Sequence, residues 1–465
     1  MRNRRKRSRI AAFLLGLMIL LPAGPGAVQA ADYWPEGPEV ESPCVILMEM
    51  STGTVLYEKN SMERNYPAST TKILTALIAL ENSDLNEIVT FSDDSINQTE
   101  GSGIARDYGE QMTMEQCLYA VMLSSANECA YAVAEHVAGS MEAFVDMMNA
   151  KAAELGCQNT HFCNPHGLFD EEHYTTCYDM ALIARAAYQN ENFRIITGTA
   201  RYTIPPTNKH EEPTPLPNHN EMLYPWQTLK YRYEYCTGGK TGFTALARAT
   251  LVTYAEKDGM SLVCVVMHTE SPSQWEDSIR LFDYAFDNFQ ICNIADNETK
   301  YDTTKAVDIG ILNNNNKAFV DIDENAGIIL PKTTGFSDAA SEIRYDAVSE
   351  DVAGTLVYTY AGREVGHADI VKTGIEVQGF VFDNQKEDAG ARPEEPEKTR
   401  VLRIDPVLIA VCVAAVAVLI ILLFVAKRFV DNYYIIRHNV EVRRNRREQF
   451  RHVRSKKKRH RRRRW

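Results

Sequence analysis

Two strongly apolar segments on either side of an Asp-Gly pair limit the possible folds more than any other feature of this sequence. They run from Ala249 to Tyr254 and from Met260 to Met267, with Asp258-Gly259 between them. Asp-Gly is a preferred pair for the tight turn of a β-hairpin, because the central residues of that turn need positive φ. Short apolar runs bounded by a turn are typical of strands. The sequence therefore predicts an antiparallel sheet that contains this hairpin.

The sequence around this hairpin alternates between strand and helix patterns. A second hairpin is predicted where Met50-Ser51-Thr52 separates two apolar runs, Val45–Glu49 and Gly53–Tyr57. Apolar residues recur at helical spacing in six segments: 73–80, 112–123, 130–137, 144–155, 178–188 and 275–289. This order of elements predicts an α+β fold for residues 31–296, with an antiparallel sheet packed against a helical cluster.

The less apolar parts of the chain are assigned to loops and to a second domain. Residues 93–108 and 203–224 are polar or rich in Pro, Asn and His, so we expect surface loops there. Residues 297–380 contain short alternating runs such as Val307-x-Ile309-x-Ile311 and Leu356-x-Tyr358-x-Tyr360, separated by Asn, Asp and Gly. That pattern predicts a small β-rich domain.

Charge is distributed very unevenly along the chain. The net charge is −12, yet residues 1–9 carry six Lys or Arg, and residues 427–465 carry 17 with only three acids, so the sequence between them is strongly acidic. Residues 1–30 start with basic residues, continue with an apolar run and end in Ala-Val-Gln-Ala. This order is typical of a secretory signal peptide, with an uncleaved N-terminal anchor as the alternative.

A second apolar run predicts a membrane span near the other end. Residues 405–426 include 21 consecutive uncharged residues, enough to cross a hydrocarbon core of about 30 Å. Residues 381–404, rich in Glu, Pro and Lys, are a flexible tether. Because Lys427 and Arg428 follow at once, the positive-inside rule places the basic tail, residues 427–465, in the cytoplasm and the acidic portion outside the cell. Orientation and contact with anionic lipid explain the tail better than nucleic acid, so no nucleic-acid partner is expected.

The segment Pro67-Ala68-Ser69-Thr70-Thr71-Lys72 stands directly before an apolar helix. Residues three apart on a helix are neighbours, so the Lys72 amine is expected beside the Ser69 hydroxyl. A serine needs a nearby base to become a nucleophile, and a desolvated lysine can serve as that base. Ser-x-x-Lys is short enough to occur by chance, and Ser455-Lys456-Lys457-Lys458 is a second copy.

Two further motifs supply the other groups that such a site needs. Ser125-x-Asn127 falls between two predicted helices, where the hydroxyl can relay a proton and the amide can hold a peptide group. Lys240-Thr241-Gly242 stands immediately before a predicted strand, where it offers positive charge, a hydroxyl and room for a close backbone approach. The order of the three motifs, each at an element boundary, is far more specific than any one of them.

With these motifs the chain resembles the low-molecular-mass penicillin-binding proteins, the serine-type D-alanyl-D-alanine carboxypeptidases. Other phrases that look like the family are Thr52–Tyr57, Gly109–Thr113, His161–Leu168 and Asn218-His219-Asn220. The resemblance implies a β-lactamase/transpeptidase-like catalytic domain that trims D-alanine from peptidoglycan stem peptides. It also implies that β-lactams are covalent inhibitors, and that no cofactor or metal is needed.

The resemblance also implies a role for each site residue. Ser69 would form the acyl-enzyme, Lys72 would be its general base, and Ser125 would pass the proton to the leaving D-alanine. Lys240 would shape the local field. Substrate binding would further involve Asn127, Thr241, Gly242 and Phe243, with the backbone N–H groups of Ser69 and Phe243 forming the oxyanion hole.

The sequence departs from the family at two places, and two rival functions stay open. Glu128 follows Asn127 where the family often has Asp, and residues 269–277 lack the arginine that helps many members hold the substrate carboxylate. The rivals are a β-lactamase and a non-catalytic peptidoglycan-binding or β-lactam-sensing protein. The spacing of Cys157, His161, Cys163 and His166 matches no zinc pattern, so free cysteines are preferred there.

Overall fold

The computed structural model of the protein describes residues 33–225, 228–299, 320–345 and 352–372. In chain order the strands of this part are β1 (Cys44–Glu49), β2 (Val55–Lys59), β3 (Ile88–Thr90), β4 (Gln111–Thr113), β5 (Arg201–Ile204), β6 (Thr214–Pro217), β7 (Cys236–Thr244), β8 (Arg248–Lys257), β9 (Met260–Thr269), β10 (Phe289–Asn293), β11 (Val320–Ile322), β12 (Gly327–Pro331), β13 (Ala340–Arg344), β14 (Val352–Tyr360) and β15 (Arg363–Lys372). The helices are α1 (Lys72–Asn82), α2 (Asp93–Asn97), α3 (Met114–Leu123), α4 (Asn127–Ala138), α5 (Met141–Glu154), α6 (Cys177–Gln189), α7 (Glu191–Gly198), α8 (Ser273–Asn288) and α9 (Ile294–Asn297).

The first sheet is antiparallel throughout and has the strand order β2-β1-β9-β8-β7. Both predicted hairpins are confirmed, since β1 pairs with β2 and β8 pairs with β9 across the turn at Asp258-Gly259. The N-terminal strand β1 lies between β2 and β9 and is fully buried. The edge strand β7 carries the Lys-Thr-Gly motif.

Each face of this sheet is covered by a different apolar layer. Along β1, Ile46 and Met48 pack into a core formed with α1, α3 and α4, whereas Val45 and Leu47 pack into a core formed with α8. Successive side chains of a strand point to opposite faces, so one strand serves both layers. The predicted α+β arrangement of sheet and helical cluster is thereby confirmed.

A junction between α3 and α4 is defined by local signals. Thr113 accepts a hydrogen bond from the backbone N–H of Gln116 in a capping box that starts α3. The helix ends at Leu123, and α4 starts at Asn127 and is terminated by Gly139 in the left-handed conformation. The short connection between them therefore presents Ser125 and Asn127 together.

Three local predictions are wrong in part. The predicted loop 93–108 begins with α2, capped by Ser92, whose hydroxyl accepts from Ser95 N–H. The predicted surface loop 203–224 contains β6 and buried residues such as Met222. Its polar Asn side chains can be buried because they donate hydrogen bonds to backbone carbonyls. The Lys-Thr-Gly motif lies inside β7 rather than before a strand, with Lys240 opposite Val252 of β8.

A second antiparallel sheet follows, in the order β10-β12-β15-β14-β13, with β11 also paired to β15. It starts at Phe289, a few residues before the boundary at 297 that composition indicates. Leu356 and Tyr358 of the predicted alternating run point into its core, whereas the run at 307–311 lies outside the described residues.

Several predictions concern residues that the structure does not describe. The signal peptide (1–30), the tether (381–404), the span (405–426) and the tail (427–465) all lie outside the described ranges. Within those ranges no helix has the length and apolar character needed to cross a membrane.

Candidate active site

The nucleophile candidate lies on a short 3-10 helix, Ala68–Thr71, that leads directly into α1. Ala68 has a φ of +50°, a conformation that costs a non-glycine residue energy and persists only where neighbours enforce it. The neighbouring Pro67 carbonyl accepts from Thr70 Oγ1 at 2.7 Å and from Thr250 Oγ1 of β8 at 3.1 Å. The turn that carries Ser69 is thus tied to the sheet.

Lys72 is fully buried and makes three polar contacts. Its Nζ donates to Asn127 Oδ1 and to the His166 carbonyl, both at 2.6 Å, and lies 3.2 Å from Ser69 Oγ. Burial, followed by the charge of Lys240, holds the pKa of Lys72 well below its usual value. A neutral amine has two N–H groups and one lone pair. If both N–H groups bond to Asn127 and His166, the lone pair remains to accept the Ser69 proton.

Ser125 and Asn127 reach the same point from the junction of α3 and α4. Ser125 has a φ of +61° and is 4% exposed, and its Oγ has no hydrogen-bond partner within the described residues. Asn127 is engaged at both ends, since its Nδ2 donates to the Glu100 carbonyl at 2.5 Å. Asn127 therefore positions Lys72 directly, while the Ser125 hydroxyl is available for a reacting group.

The strand β7 closes the site from the other side. Lys240 is fully buried and its Nζ donates to the Thr241 carbonyl at 2.8 Å; burial lowers the pKa of Lys240 to about 7. A β-carbon on Gly242 would lie 2.3 Å from Thr250 Oγ1 and 2.9 Å from the backbone nitrogen of Ser69. Only glycine permits β7 to approach the nucleophile this closely.

A loop that the motifs did not assign to the site supports it from beneath. The His166 carbonyl binds Lys72, and Pro165 O accepts from Thr75 Oγ1 of α1 at 2.6 Å. His173 accepts from Cys163 N–H through Nδ1 and contacts Thr71 Oγ1 through Nε2, at 2.9 Å. Burial lowers the pKa of His173 to about 3, so it is neutral there. The part played by His166 was missed because a backbone carbonyl leaves no signature in residue type.

Substitution of Gly167 in this loop tests whether its close packing holds the turn that carries Ser69. It has a φ of +82°, and a β-carbon there would lie 1.8 Å from the Ala68 carbonyl oxygen. We expect Gly167→Ala to lower the free energy of unfolding by about 3 kcal/mol or more and to slow acylation by penicillin. Urea denaturation and labelling kinetics measure the two effects.

The matched control is Gly156→Ala. Gly156 has nearly the same φ, +84°, but nothing lies within 4 Å of the added β-carbon. This variant therefore reports backbone strain alone, about 1 kcal/mol. Equal losses in the two variants would contradict the proposed close packing of Gly167 against the nucleophile turn.

These groups open onto a cleft of about 640 Å³. Ser69, Ser125, Thr241, Gly242 and Phe243 all line it, so the cleft gathers five of the predicted residues. Three others are buried and do not line the cleft: Lys72, Lys240 and Asn127.

Two departures noted in the sequence have a structural counterpart. Glu128 Oε1 accepts from the backbone N–H of Ile104 at 2.6 Å and so holds the loop beside Asn127. Arg248 does not line the cleft; it pairs at the surface with Glu270. Among the described residues that line the cleft there is no arginine or lysine.

No zinc arrangement is formed by the Cys and His residues at 157–166. Cys163 Sγ contacts Asp170, and within the described ranges no group of three or more such side chains is placed to hold a metal ion. The nine described cysteines are unpaired.

Comparison with known proteins gives a consistent result. Residues 31–271 match the model of the peptidase S11 family, D-alanyl-D-alanine carboxypeptidase. The D-alanyl-D-alanine carboxypeptidase DacF of Bacillus subtilis (strain 168) is 30% identical over 389 residues, covering 80% of this chain and 95% of that protein. DacB2 of Mycobacterium tuberculosis is 34% identical over 266 residues, covering 55% and 87%. The crystal structure of the Streptomyces K15 DD-transpeptidase aligns with a TM-score of 0.50 and 29% identity, over 54% of this chain and all of that one.

Proposed function

Because the chain belongs to the D-alanyl-D-alanine carboxypeptidase family, it is a serine-type hydrolase of peptidoglycan stem peptides, and we propose that its acyl-enzyme forms on Ser69. The observation that carries this assignment is the Lys72 amine, which is buried, donates to two fixed carbonyl oxygens and lies 3.2 Å from Ser69 Oγ. A buried amine held in this way, beside a serine hydroxyl, is placed to remove the serine proton.

Acylation follows from these contacts. Ser69 Oγ attacks the carbonyl carbon of the penultimate D-alanine while its proton moves to Lys72 Nζ. The C–N bond then breaks, and the leaving D-alanine amine takes the proton that Lys72 received, relayed through the Ser125 hydroxyl, which is buried and unpartnered within the described residues. Lys72 is thereby neutral again. Water next attacks the ester while Lys72 accepts its proton; the C–O bond to Ser69 breaks, and Lys72 returns the proton to Ser69 Oγ. The net reaction is hydrolysis of one peptide bond.

Charge that develops on the carbonyl oxygen needs donors. We assign this role to the backbone N–H groups of Ser69 and Phe243, supported by the close approach of Gly242 to the Ser69 nitrogen. Thr241 would hold the peptide along β7, and Lys240 would add positive potential from behind the strand. Penicillin would follow the same path as far as the acyl-enzyme, because its ring amide takes the place of the scissile bond.

We further propose that the catalytic domain lies outside the cell, anchored by the span at 405–426 with the basic tail inside. The signal-like residues 1–30, the uncharged run and the basic residues directly after it support this orientation. Peptidoglycan lies on that side of the membrane, so the location agrees with the reaction.

One experiment tests activity and location together. Intact cells that express the chain are treated with a fluorescent penicillin that does not cross the membrane, and the purified protein is incubated with a peptide ending in D-Ala-D-Ala. We expect slowly decaying label in both preparations and release of D-alanine. Label without release would indicate a sensor, rapid turnover of penicillin a β-lactamase, and label only after lysis would contradict the orientation.

A further inference from the structure

Among the described residues that line the cleft with Ser69, one side chain other than histidine is formally acidic or basic. That residue is Glu221, and burial raises the pKa of its carboxyl group. His219 also lines the cleft, but burial, followed by the charge of Lys240, lowers the pKa of His219 to about 4, so it is neutral. The accessible part of the site is therefore acidic.

Glu221 and Gln274, which line the same cleft, both have unused hydrogen-bond acceptors. Each side chain is only 7% exposed, and Glu221 Oε2 and Gln274 Oε1 are enclosed without a partner in the described part of the chain. Leaving such acceptors unsatisfied costs free energy. The two residues come from separate elements, the segment before β7 and the first turn of α8, yet line the same cleft. A ligand that brings N–H donors would satisfy both.

The surroundings favour a cation in particular. Aromatic side chains of Tyr231 and Trp275 line the same cleft, and aromatic faces attract ammonium groups. Basic side chains near the rim are already bound: Lys230 pairs with Glu276 at 2.5 Å, and Arg248 pairs with Glu270. Neither lines the cleft, so neither of these two neutralises Glu221.

We propose that Glu221, with Gln274, forms a subsite for the side-chain ammonium of a diamino acid in the substrate. Stem peptides carry such a residue directly before D-alanyl-D-alanine, joined to the amino group of the D-alanine whose carbonyl Ser69 attacks. The inference rests on the proposed function, because it assigns the substrate preference of the same cleft. Glu221 acts as a specificity residue and takes no part in proton transfer.

The test compares two peptides that differ only at the lysine side-chain nitrogen, which is a free ammonium in Nα-acetyl-Lys-D-Ala-D-Ala and an uncharged acetamide in its Nα,Nε-diacetyl counterpart. For the wild-type protein we expect kcat/KM to be about tenfold or more higher for the free ammonium, as a charge-assisted hydrogen bond provides. In Glu221→Gln this ratio should fall to within about twofold of one, and in Glu221→Lys it should fall below one. A ratio measured on one preparation does not depend on the fraction of folded enzyme.

The control is Glu234→Gln, which removes the same charge from an exposed residue that does not line the cleft; it should keep the wild-type ratio. A wild-type ratio near one, or a ratio that Glu221→Gln leaves unchanged, would overturn the subsite while leaving the carboxypeptidase assignment intact. Failure of the wild-type protein to release D-alanine from either peptide would instead contradict the proposed function, and the subsite with it.

Discussion

Ser69→Ala is expected to abolish covalent labelling by penicillin and to reduce D-alanine release by at least about 10⁴-fold, as removal of a catalytic nucleophile does. The Ser69 hydroxyl lines the cleft and contacts Lys72 Nζ, and alanine leaves nothing there to carry the acyl group. The measurements are gel fluorescence after penicillin treatment and D-alanine assay over time. Since a small side chain replaces another at a half-buried position, the thermal midpoint should change little.

The sequence provides a matched control for this experiment. Ser455 belongs to the second Ser-x-x-Lys, in the basic tail, so Ser455→Ala removes the same hydroxyl from the same motif. It should retain full labelling and full release. If Ser69→Ala still released D-alanine, or if Ser455→Ala lost its label, the assignment of the nucleophile would be wrong.

Lys72→Met is expected to slow acylation by about 10²–10⁴-fold, the usual contribution of a general base. Methionine matches the length and apolar stem of lysine but has no amine to accept the Ser69 proton. The rate of label incorporation at saturating penicillin measures the effect. Lys209→Met, which changes an exposed lysine that does not line the cleft, should keep the wild-type rate.

The role of Lys72 as a base also predicts how the rate of acylation changes with pH. Lys72 acts as a base only when neutral, so the acylation rate should rise with pH through the lowered pKa of Lys72 and then level off. Burial is the main cause of that lowering and the Lys240 charge is the second. In Lys240→Gln the pKa of Lys72 should therefore rise, and the acid limb should move to higher pH. The shift should be seen below about pH 7, because above that pH Lys240 loses its own charge and no longer affects Lys72. A limb that stays in place would contradict the electrostatic coupling of the two lysines.

The parts of the fold that could be predicted from sequence are those in which pattern and packing agree. The β8–β9 hairpin and α8 were predicted because each has an uninterrupted apolar pattern and a clear boundary. Composition misled where polar residues are buried: Asn220 in the predicted surface loop donates from Nδ2 to the Gly238 carbonyl at 3.1 Å. A buried Asn of this kind looks, in sequence, like an exposed one.

The site, too, contains some contacts that sequence spacing predicts and others that it does not. Ser69 and Lys72 could be paired from spacing alone, since the helix brings residues three apart together. The contact between Lys72 and the His166 carbonyl could not, because it joins distant segments through a backbone atom. Glu221 likewise gave no signal before the cleft defined its neighbours.

The position of β1 between β2 and β9 has a consequence for how activity is acquired. Cys44 of β1 pairs with Met267 of β9, the last strand of this sheet in chain order. The sheet therefore cannot form completely until residues 44–269 have all been synthesised. Such long-range pairing is slow, since the chain must lose much loop entropy before the contacts form. The three motifs are all synthesised before β9, yet they lack a shared scaffold until it is in place. The time at which newly made chains become able to react with penicillin should therefore report when β9 pairs with β1.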